Sequence, residues 1–509
     1  MFKIIDRLID GVSMYRLILY YLIGLLVAAV VLSFFKVLVF NPYYIIISSL
    51  ILVGSAWFFN YMLSYIFDAP INPESSIITG LILALIISPD FSNGFFSATF
   101  LLAATGLAMA SKYIFAIKER HIFNPVAIAV VLTALGPHQT AGWWVGSAVL
   151  APFVLIGGII LIRKIRRETM VIIYFAVSLI VTIIYALIDH NSVMLNLKDA
   201  ILTSPLLFLG FVMLTEPLTS PTDKKHQNIY GAIVGALIPP QVHLFSFYTT
   251  PELALIIGNV YGYIFGPKSK LFLYVHQKLK IARDTLDFIF IPDKSLAYQP
   301  GQYMEWTLPH NKADFRGSRR YFTLASSPTE STLRIGIKFY DRGSSYKQRL
   351  LESDNDTLLI ASHIAGDFVM PDDPNIQLAF IAGGIGITPF RGMIKYLIDR
   401  KEPRDIVLLY FVSEKDDLAY QEIFDMARKK LNIKVYYCLS RSNLNINSND
   451  GYINTRLTRR AVQQLVPDYL DRRFYLSGST TIITNADKIL KELGVSRDKI
   501  VKDYFPGYL

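Results

Sequence analysis

Leu378-Ala-Phe-Ile381-Ala-Gly383-Gly384-Ile-Gly386-Ile-Thr388-Pro389-Phe390 lies in the last third of the chain and decides how that third folds. The apolar run that leads into the glycines has the composition of a buried strand. Pro389 carries the fixed φ that suits a helix's first turn, so Pro389 to Leu397 predicts a helix start. Glycines between a strand and a helix let the backbone come close to a pyrophosphate. The helix N-terminus then offers it free N–H groups and a partial positive charge.

Outward from this stretch, residues 373–509 alternate strand and helix, the pattern of a doubly wound parallel sheet. Strands are expected to begin near Leu378, Ile406, Ile433 and Phe474. Residues 267–372 instead show short alternating runs broken by Gly, Pro and Asp. Leu286-Asp-Phe-Ile-Phe-Ile and Leu333-Arg-Ile-Gly-Ile-Lys-Phe are examples, and the expectation is an antiparallel β-barrel.

Residues 1–266 are different in kind. The 509-residue chain is 52% hydrophobic, with a mean hydropathy of +0.38, and its long uncharged runs fall in this half. Runs at about 16–40, 43–66, 76–89, 95–116, 123–136, 143–162, 170–189, 200–217, 229–245 and 252–265 predict a polytopic α-helical membrane domain of about ten spans. Lipid is therefore a partner. The net charge of +10 clusters beside these runs, so it orients the chain in a bilayer, and nucleic acid is not an expected partner. Lys112, Lys118, Arg120, Arg163, Lys164, Arg166, Arg167, Lys224, Lys225, Lys268 and Lys270 all fall on the side of Lys3 and Arg7, with Lys198 the exception. Both termini are then cytoplasmic in a multi-pass cell-membrane protein. No cleavable signal peptide is expected at Met1 to Arg16. The single cysteine, Cys438, in a strand-like run, supports neither a disulfide framework nor a cysteine-ligated cluster.

Ser88-Pro89 closes the third run and Glu216-Pro217 the eighth. Five spans apart means opposite directions through the bilayer, as in an inverted repeat with a ligand site between its halves; ordinary proline-capped helix ends are the plainer alternative.

The spacing Gly383-Gly384-x-Gly386-x-Thr388-Pro389 resembles that of the ferredoxin–NADP reductase family of flavin enzymes, and further motifs carry the resemblance. Arg319-Arg320-Tyr321-Phe322-Thr323-Leu-Ala-Ser326 matches its flavin motif. The resemblance implies that Arg320 pairs with the FAD diphosphate, that Phe322 packs along the ring in place of tyrosine, and that Thr323 hydrogen-bonds near N5. Tyr321 and Ser326 lie in the same stretch. Gly343-Ser344-Ser345-Tyr346 stands at the second phosphate contact, where a plain helix cap is the compatible alternative. Ser477-Gly478 occupies the place of the family's Cys-Gly, facing the nicotinamide, and Tyr508 belongs to an aromatic terminus that covers the flavin. Thr323, Ser477 and Tyr508 are thus the expected catalytic positions, with FAD and NAD(P)H as cofactors. Glu414, after the second strand, would repel a 2′-phosphate and favours NADH.

Thr79-Gly80, His121-Ile-Phe-Asn124-Pro125 and Thr215-Glu216-Pro217-Leu-Thr219-Ser220-Pro221 resemble the D subunit of Rnf electron-transport complexes and the related B subunit of sodium-pumping NADH:quinone reductase. That resemblance implies a flavin-binding inverted-repeat fold, with Asn124, Pro125, Glu216 and Thr219 near the flavin. The family's covalent flavinylation signature is absent. Thr140 is the nearest candidate by place, and FMN or riboflavin held without a covalent bond is the expectation. Glu216 is given a structural or flavin-site role in preference to ion pumping.

Together the resemblances imply a membrane-bound NAD(P)H oxidoreductase passing electrons through FAD to a membrane flavin. The onward acceptor would be a quinone, an extracytoplasmic flavoprotein or a metal ion. A haem-based ferric-reductase or NADPH-oxidase type needs stacked histidine pairs on its spans. The chain has eight histidines, of which His121, His138, His190, His226 and His243 mostly fall at span ends or in loops. A redox-sensing transporter would suit the repeat but leave the nucleotide motifs without a purpose.

Overall fold

The computed structural model describes residues 12, 14–67, 73–91, 95–117, 120–136, 139–165, 167–221, 223–244, 247–266, 271–293, 296–310, 314, 317–340, 343–441 and 451–503. The chain divides into two compact units, Met1–Lys270 and Leu271–Leu509.

The first unit is helical: α1 (Met14–Phe34), α2 (Pro42–Ile66), α3 (Pro73–Ile86), α4 (Phe95–Ile114), α5 (Pro125–Leu135), α6 (Ala151–Ile165), α7 (Glu168–Ile188), α8 (Val193–Leu202), α9 (Leu206–Met213), α10 (Lys224–Leu237) and α11 (Pro251–Phe265). Among the described residues α1, α2 and α7 are each long and apolar enough to cross a membrane. The pair α8 and α9 joins them if its 55° bend is counted within one span. A helix lies in every apolar run of the sequence, but three boundaries differ. The run at 200–217 is broken at Ser204–Pro205, because proline cannot donate into the helix ladder, and α8 adds a helix before it. The run at 143–162 becomes helical only at Ala151. Its earlier part includes Trp143 at φ +48° and passes so close to Ser204 that a Cβ on Gly146 would lie 2.5 Å from the Ser204 carbonyl oxygen. Helix α10 begins earlier than its apolar run because Asp223 caps it, accepting from His226 N at 2.9 Å.

One order of elements occurs twice. In the first half, α1 and α2 lead to the short α3 with an extended exit, then to α4. A two-residue strand pair (Ala116–Ile117 with Arg120–His121) follows, and then the proline-first α5. In the second half, α6 and α7 lead to the broken α8–α9, then α10. A second such pair (His243–Leu244 with Phe247–Tyr248) precedes the proline-first α11. Even the caps correspond. Asn124 Oδ1 accepts from Val126 N and Ala127 N at 3.1 Å, and Thr250 Oγ1 accepts from Leu253 N at 3.3 Å.

The second unit opens with β1 (Leu271–Ala282), β2 (Thr285–Phe290), β3 (Tyr303–Thr307), β4 (Arg319–Thr323), β5 (Leu333–Lys338), the short helix α12 (Ser345–Leu351) and β6 (Leu358–Ala365). These strands form one antiparallel sheet in the order β4-β3-β6-β1-β2-β5. The expected antiparallel barrel takes the form of a linear order of strands whose ends meet just past β4, where Ala325 N donates to Arg334 O of β5 at 2.8 Å. Phe288, Phe290, Trp306, Ile335 and Leu359 fill its interior.

Next come β7 (Leu378–Gly383), α13 (Thr388–Arg400), β8 (Ile406–Val412), α14 (Gln421–Leu431), β9 (Lys434–Leu439), β10 (Tyr452–Asn454), α15 (Arg459–Leu465), β11 (Arg473–Ser477), α16 (Thr480–Glu492) and β12 (Ile500–Lys502). Their sheet is all parallel, ordered β10-β9-β8-β7-β11-β12. Every residue of β7 and of β8 is buried, because helices cover both faces, and continuous apolar runs are the sequence mark of that. Strand order reverses between β7 and β11. Sheets of this kind bind ligands at the carboxyl ends of the strands beside such a point.

Candidate functional site

At that switch point the glycine stretch makes a turn that only glycine fits. Gly384 has φ +54°, and a Cβ there would meet nothing within 4 Å, so the turn's outer side is open. Gly386 is required by contact: its Cβ would lie 2.4 Å from Gly478 Cα and N. The turns after β7 and β11 therefore touch backbone to backbone. Thr388 turns its hydroxyl back to Ile385 O (3.2 Å), which fixes the loop, and Pro389 stands in the first turn of α13. Ser477 Oγ donates to Asp503 Oδ2 at 2.7 Å, both residues being buried. Tyr508 lies outside the described residues.

On the antiparallel sheet, Arg320 and Phe322 share one face of β4, two residues apart. Both meet Tyr346: the Arg320 guanidinium sits 5.1 Å from its ring centroid, and Phe322 lies 6.1 Å from it. Tyr321 does not join them. It points the other way, donating to Glu305 Oε2 at 2.7 Å. Ser326 is wholly buried, and its hydroxyl is taken up by Tyr298 (3.0 Å) and Arg334 N (3.2 Å), which makes it part of a joint inside the protein. Ser344 is a helix cap, its Oγ accepting from Lys347 N at 3.3 Å beside Gly343. The Ser345 hydroxyl accepts from Asp314 N (2.9 Å) and lies 3.0 Å from His310 Nε2, while Ser345 N donates to Asp314 Oδ2 (3.0 Å). A carboxylate thus already meets the amide that was expected to hold phosphate.

Two buried hydroxyls, Thr323 Oγ1 and Tyr346 OH, have no hydrogen-bond partner among the described residues. Buried polar atoms are normally paired. Next to a buried guanidinium, this donor set fits FAD. Burial drives the Tyr346 phenol well above its ordinary range, so it stays a neutral donor.

Glu414 follows β8 as expected, but its carboxylate is ion-paired with Arg283 from the β1–β2 turn, and Arg283 N donates to Asp416 O at 2.9 Å. That pairing, with Arg441 near it, holds the Glu414 carboxyl below its usual range and offsets its charge.

The helical unit brings together the other expected residues. Glu216 Oε2 accepts from Asn124 Nδ2 at 2.7 Å and from Thr219 Oγ1 at 3.2 Å, and Glu216 Oε1 lies 3.5 Å from His121 Nε2. Asn124 N donates to Asn259 Oδ1 (2.8 Å), and Asn259 Nδ2 donates to Tyr230 OH (3.0 Å). Arg167 binds Ser220 Oγ and Thr215 O. Pro125 is buried at the start of α5. Thr140 is exposed and stands outside this cluster.

Sequence reasoning missed Asp503, His310, Asn259, Tyr230 and Arg167 as partners in these places. Asn259 carried a usable signal, a lone amide in an otherwise apolar helix. Asp503 carried none, since its meeting with Ser477 depends on how β12 lies on β11.

An antiparallel sheet carrying Arg320 and Thr323, with Tyr346 on the adjoining α12, precedes a parallel sheet with a glycine turn at its switch point, the kind of place where such sheets bind a dinucleotide. Residues 380–488 match the oxidoreductase NAD-binding domain, and residues 135–261 match the NQR2, RnfD, RnfE family. The chain thus carries a segment similar to the second family ahead of a segment similar to the first.

Among similar proteins is a flavohemoprotein of Oceanobacillus iheyensis, 24% identical over 242 residues, covering 45% of this chain and 58% of the relative. Another is a glycine betaine monooxygenase reductase subunit of Pseudomonas aeruginosa, 25% identical over 238 residues, covering 45% and 63%. The chain thus spans less than two thirds of the length of these relatives. The flavohem-like FAD/NAD-binding domain of a nitric oxide dioxygenase from Vibrio cholerae aligns with a TM-score of 0.41 at 20% identity, covering 46% of this chain and 98% of that one.

Proposed function

We propose that this protein is a membrane-bound, flavin-dependent NAD(P)H oxidoreductase that sends electrons from cytoplasmic NAD(P)H to a second flavin in its helical half and on to a membrane or extracytoplasmic acceptor. The observation that carries the reading is how closely the two nucleotide places are joined. Helix α13, which starts at the glycine turn, packs on the backbone just past Thr323. A Cβ on Gly392 would lie 2.9 Å from Ser326 O and 3.3 Å from Leu324 O.

FAD, when bound, supplies two-electron uptake from the nicotinamide and release in single steps. Around it, Arg320 would pair with the diphosphate, and the partnerless Tyr346 OH would donate to the same group. Phe322 would pack along the ring. Thr323 would place its hydroxyl at the edge where hydride arrives. The Gly383–Gly386 turn and the start of α13 would hold the dinucleotide's pyrophosphate, and Ser477 and Gly478 would line the nicotinamide. NADH is the favoured donor on the strength of Glu414, and the Arg283 pair decides how much of that carboxylate a 2′-phosphate would meet.

In the helical half, about ten spans with an inverted repeat and cytoplasmic termini fit the doubled order of elements. The cluster of Asn124, Glu216, Thr219 and Asn259 is the place for FMN or riboflavin held without a covalent bond. The exposure of Thr140 gives no support to attachment there.

Absorption spectra of the purified full-length protein, recorded with NADH or NADPH and followed by flavin extraction, test the reading. Two flavins per chain, both bleached by the nucleotide and both released by denaturation, are expected. A single flavin with no other chromophore would leave the membrane half without a redox group and sink the proposal.

A further inference from the structure

Between the antiparallel and parallel sheets of the second unit lies a buried set of charges that no cofactor contact explains. Asp287, on β2 and fully buried, accepts from Tyr420 OH at 2.9 Å on Oδ1 and from Arg334 Nε at 2.8 Å on Oδ2. Arg391, on α13 and 2% exposed, donates through Nη1 to Ala325 O at 3.1 Å and through Nη2 to Glu330 Oε1 at 2.9 Å, with a second, closer contact from Nη1 to Glu330 Oε2. Glu330 Oε2 also accepts from Ser327 N at 2.7 Å. The Arg391 guanidinium lies 5.8 Å from the Tyr420 ring centroid, so the two groups form one network.

Its members come from both sheets. Asp287 and Arg334 stand on β2 and β5 of the antiparallel one, with Ala325 and Glu330 in the β4–β5 connection, while Arg391 on α13 and Tyr420 at the start of α14 lie on the helices that cover the parallel one. Tyr420 holds its place at φ +58°, a backbone region that costs a side-chain-bearing residue and is tolerated where the surroundings enforce it. Across the sheet from Asp287, Gly336 leaves a notch. A Cβ there would lie 2.5 Å from Tyr420 OH, 2.9 Å from Thr388 Cγ2 and 3.2 Å from Ile385 Cδ1. The glycine turn thus docks into the antiparallel sheet beside the Tyr420–Asp287 bond.

A buried, charge-balanced network of this kind adds little stability over apolar packing of the same volume. Geometry is what it can supply. One pair ties the chain just past Thr323 to the first turn of α13, and the other ties β2 to the loop that leads into α14. Between them they fix how the flavin-side strand and the nicotinamide-side turn stand relative to each other. A misplacement of about 1 Å between reacting groups can cost on the order of 100-fold in rate.

We propose that the Asp287–Tyr420 and Glu330–Arg391 pairs are positioning residues for hydride transfer, setting the register between the bound nicotinamide and the flavin. This rests on the reductase reading given above. The C4–H bond of the nicotinamide breaks, its hydride forms the N–H bond at flavin N5, NAD(P)H is oxidised and FAD is reduced. The pairs touch neither reactant and act through Thr323 and the glycine turn.

The test is rapid mixing of the oxidised full-length protein with NADH or NADPH, following flavin bleaching across nucleotide concentrations. Tyr420→Phe and Glu330→Gln are each expected to lower the limiting rate roughly 10- to 100-fold. Half-saturation should stay within about threefold and FAD content near wild type, because nucleotide binding is made elsewhere; each change takes a partner from a buried charge and lowers the thermal midpoint, so rates are compared at a temperature where every variant is fully folded. Since both pairs hold one joint, the double variant should lose less than the product of the single losses. Limiting rates within about twofold of wild type in both variants would overturn the positioning role, as would a loss that is fully recovered when the variants are reloaded with FAD. If the wild-type flavin is not bleached by either nucleotide, the reductase reading fails, and this inference with it.

Discussion

Ser477 stands where the resembled family carries a thiol, and its bond to Asp503 changes what that position offers. With its proton given to Asp503 Oδ2 at 2.7 Å, the hydroxyl keeps only lone pairs for the nicotinamide side. Ser477→Ala would take a donor from a buried carboxylate, at a cost of about 1–3 kcal/mol. The expected outcome is a lower thermal midpoint together with slower flavin bleaching, read in the same rapid-mixing experiment; an unchanged midpoint would show that water takes the place of the hydroxyl. At this scale the sequence was legible where chemistry is carried by residue type. Arg320, Phe322, Thr323 and the glycines were singled out by their resemblance to family motifs, and the structure brings Arg320 and Phe322 together on Tyr346. Tyr321 was grouped with them by adjacency, although the two-residue period of a strand sends it to Glu305 instead. Ser326 was grouped for the same reason and proves to be wedged in a joint, which a linear pattern does not reveal.

Elements were legible where periodicity is strong. The alternation of buried strand and helix after Leu378 is visible in the sequence because helices cover both faces of the parallel sheet. The break at Ser204–Pro205 was hidden inside an apolar run, since hydropathy is blind to where a helix bends. What pins the parallel strands at their amino ends was also hidden. Arg472, with a side chain 2% exposed, donates to Leu378 O (3.0 Å) and Asp405 O (3.3 Å) and makes a two-pronged pair with Asp468 at 2.7 Å on each oxygen. It thereby ties the starts of β7, β8 and β11. The Arg472 hydrogen bonds hold the Asp468 carboxyl below its usual range. At Asp405, burial pushes upward but is outweighed by bonds from Arg472 and Gln377. A carboxylate with a lowered folded pKa stabilises the fold above its unfolded pKa of about 3.9, and that contribution is lost as pH falls through the lowered value. Arg472→Met should therefore cost roughly 1–3 kcal/mol at neutral pH, because the Leu378 carbonyl loses a donor and the Asp405 and Asp468 carboxylates lose their partner. The gap between wild type and variant should narrow as pH falls below about 4. Thermal midpoints across a pH series would show this, and a gap that stays constant down to pH 2 would remove the carboxylates from the account.

At the scale of the whole molecule, the α8–α9 bend decides the path of the chain through the bilayer. Spanning takes about 20 apolar residues, and α9 alone is too short, so the crossing between α7 and α10 depends on α8 and α9 acting as one bent span. Asn191, exposed after α7, and Lys225, exposed in the first turn of α10, stand on either side of that pair. If the pair crosses, the two positions face opposite compartments, and the basic residues around Lys224 and Lys225 mark the cytoplasmic one. If the bend turns the pair back, both positions face the same compartment, and the positive clusters no longer fall on one side. The chain's lone cysteine makes the test clean: Cys438 is wholly buried, and burial pushes its thiol up to about 12, so it stays protonated and unreactive near neutral pH. In intact cells a membrane-impermeant maleimide should label Asn191→Cys and spare Lys225→Cys, with the pattern reversed in inside-out vesicles. Labelling of both from one side would turn the α8–α9 pair into a re-entrant hairpin. It would also place the sequence before Asn191 in the orientation opposite to the one proposed.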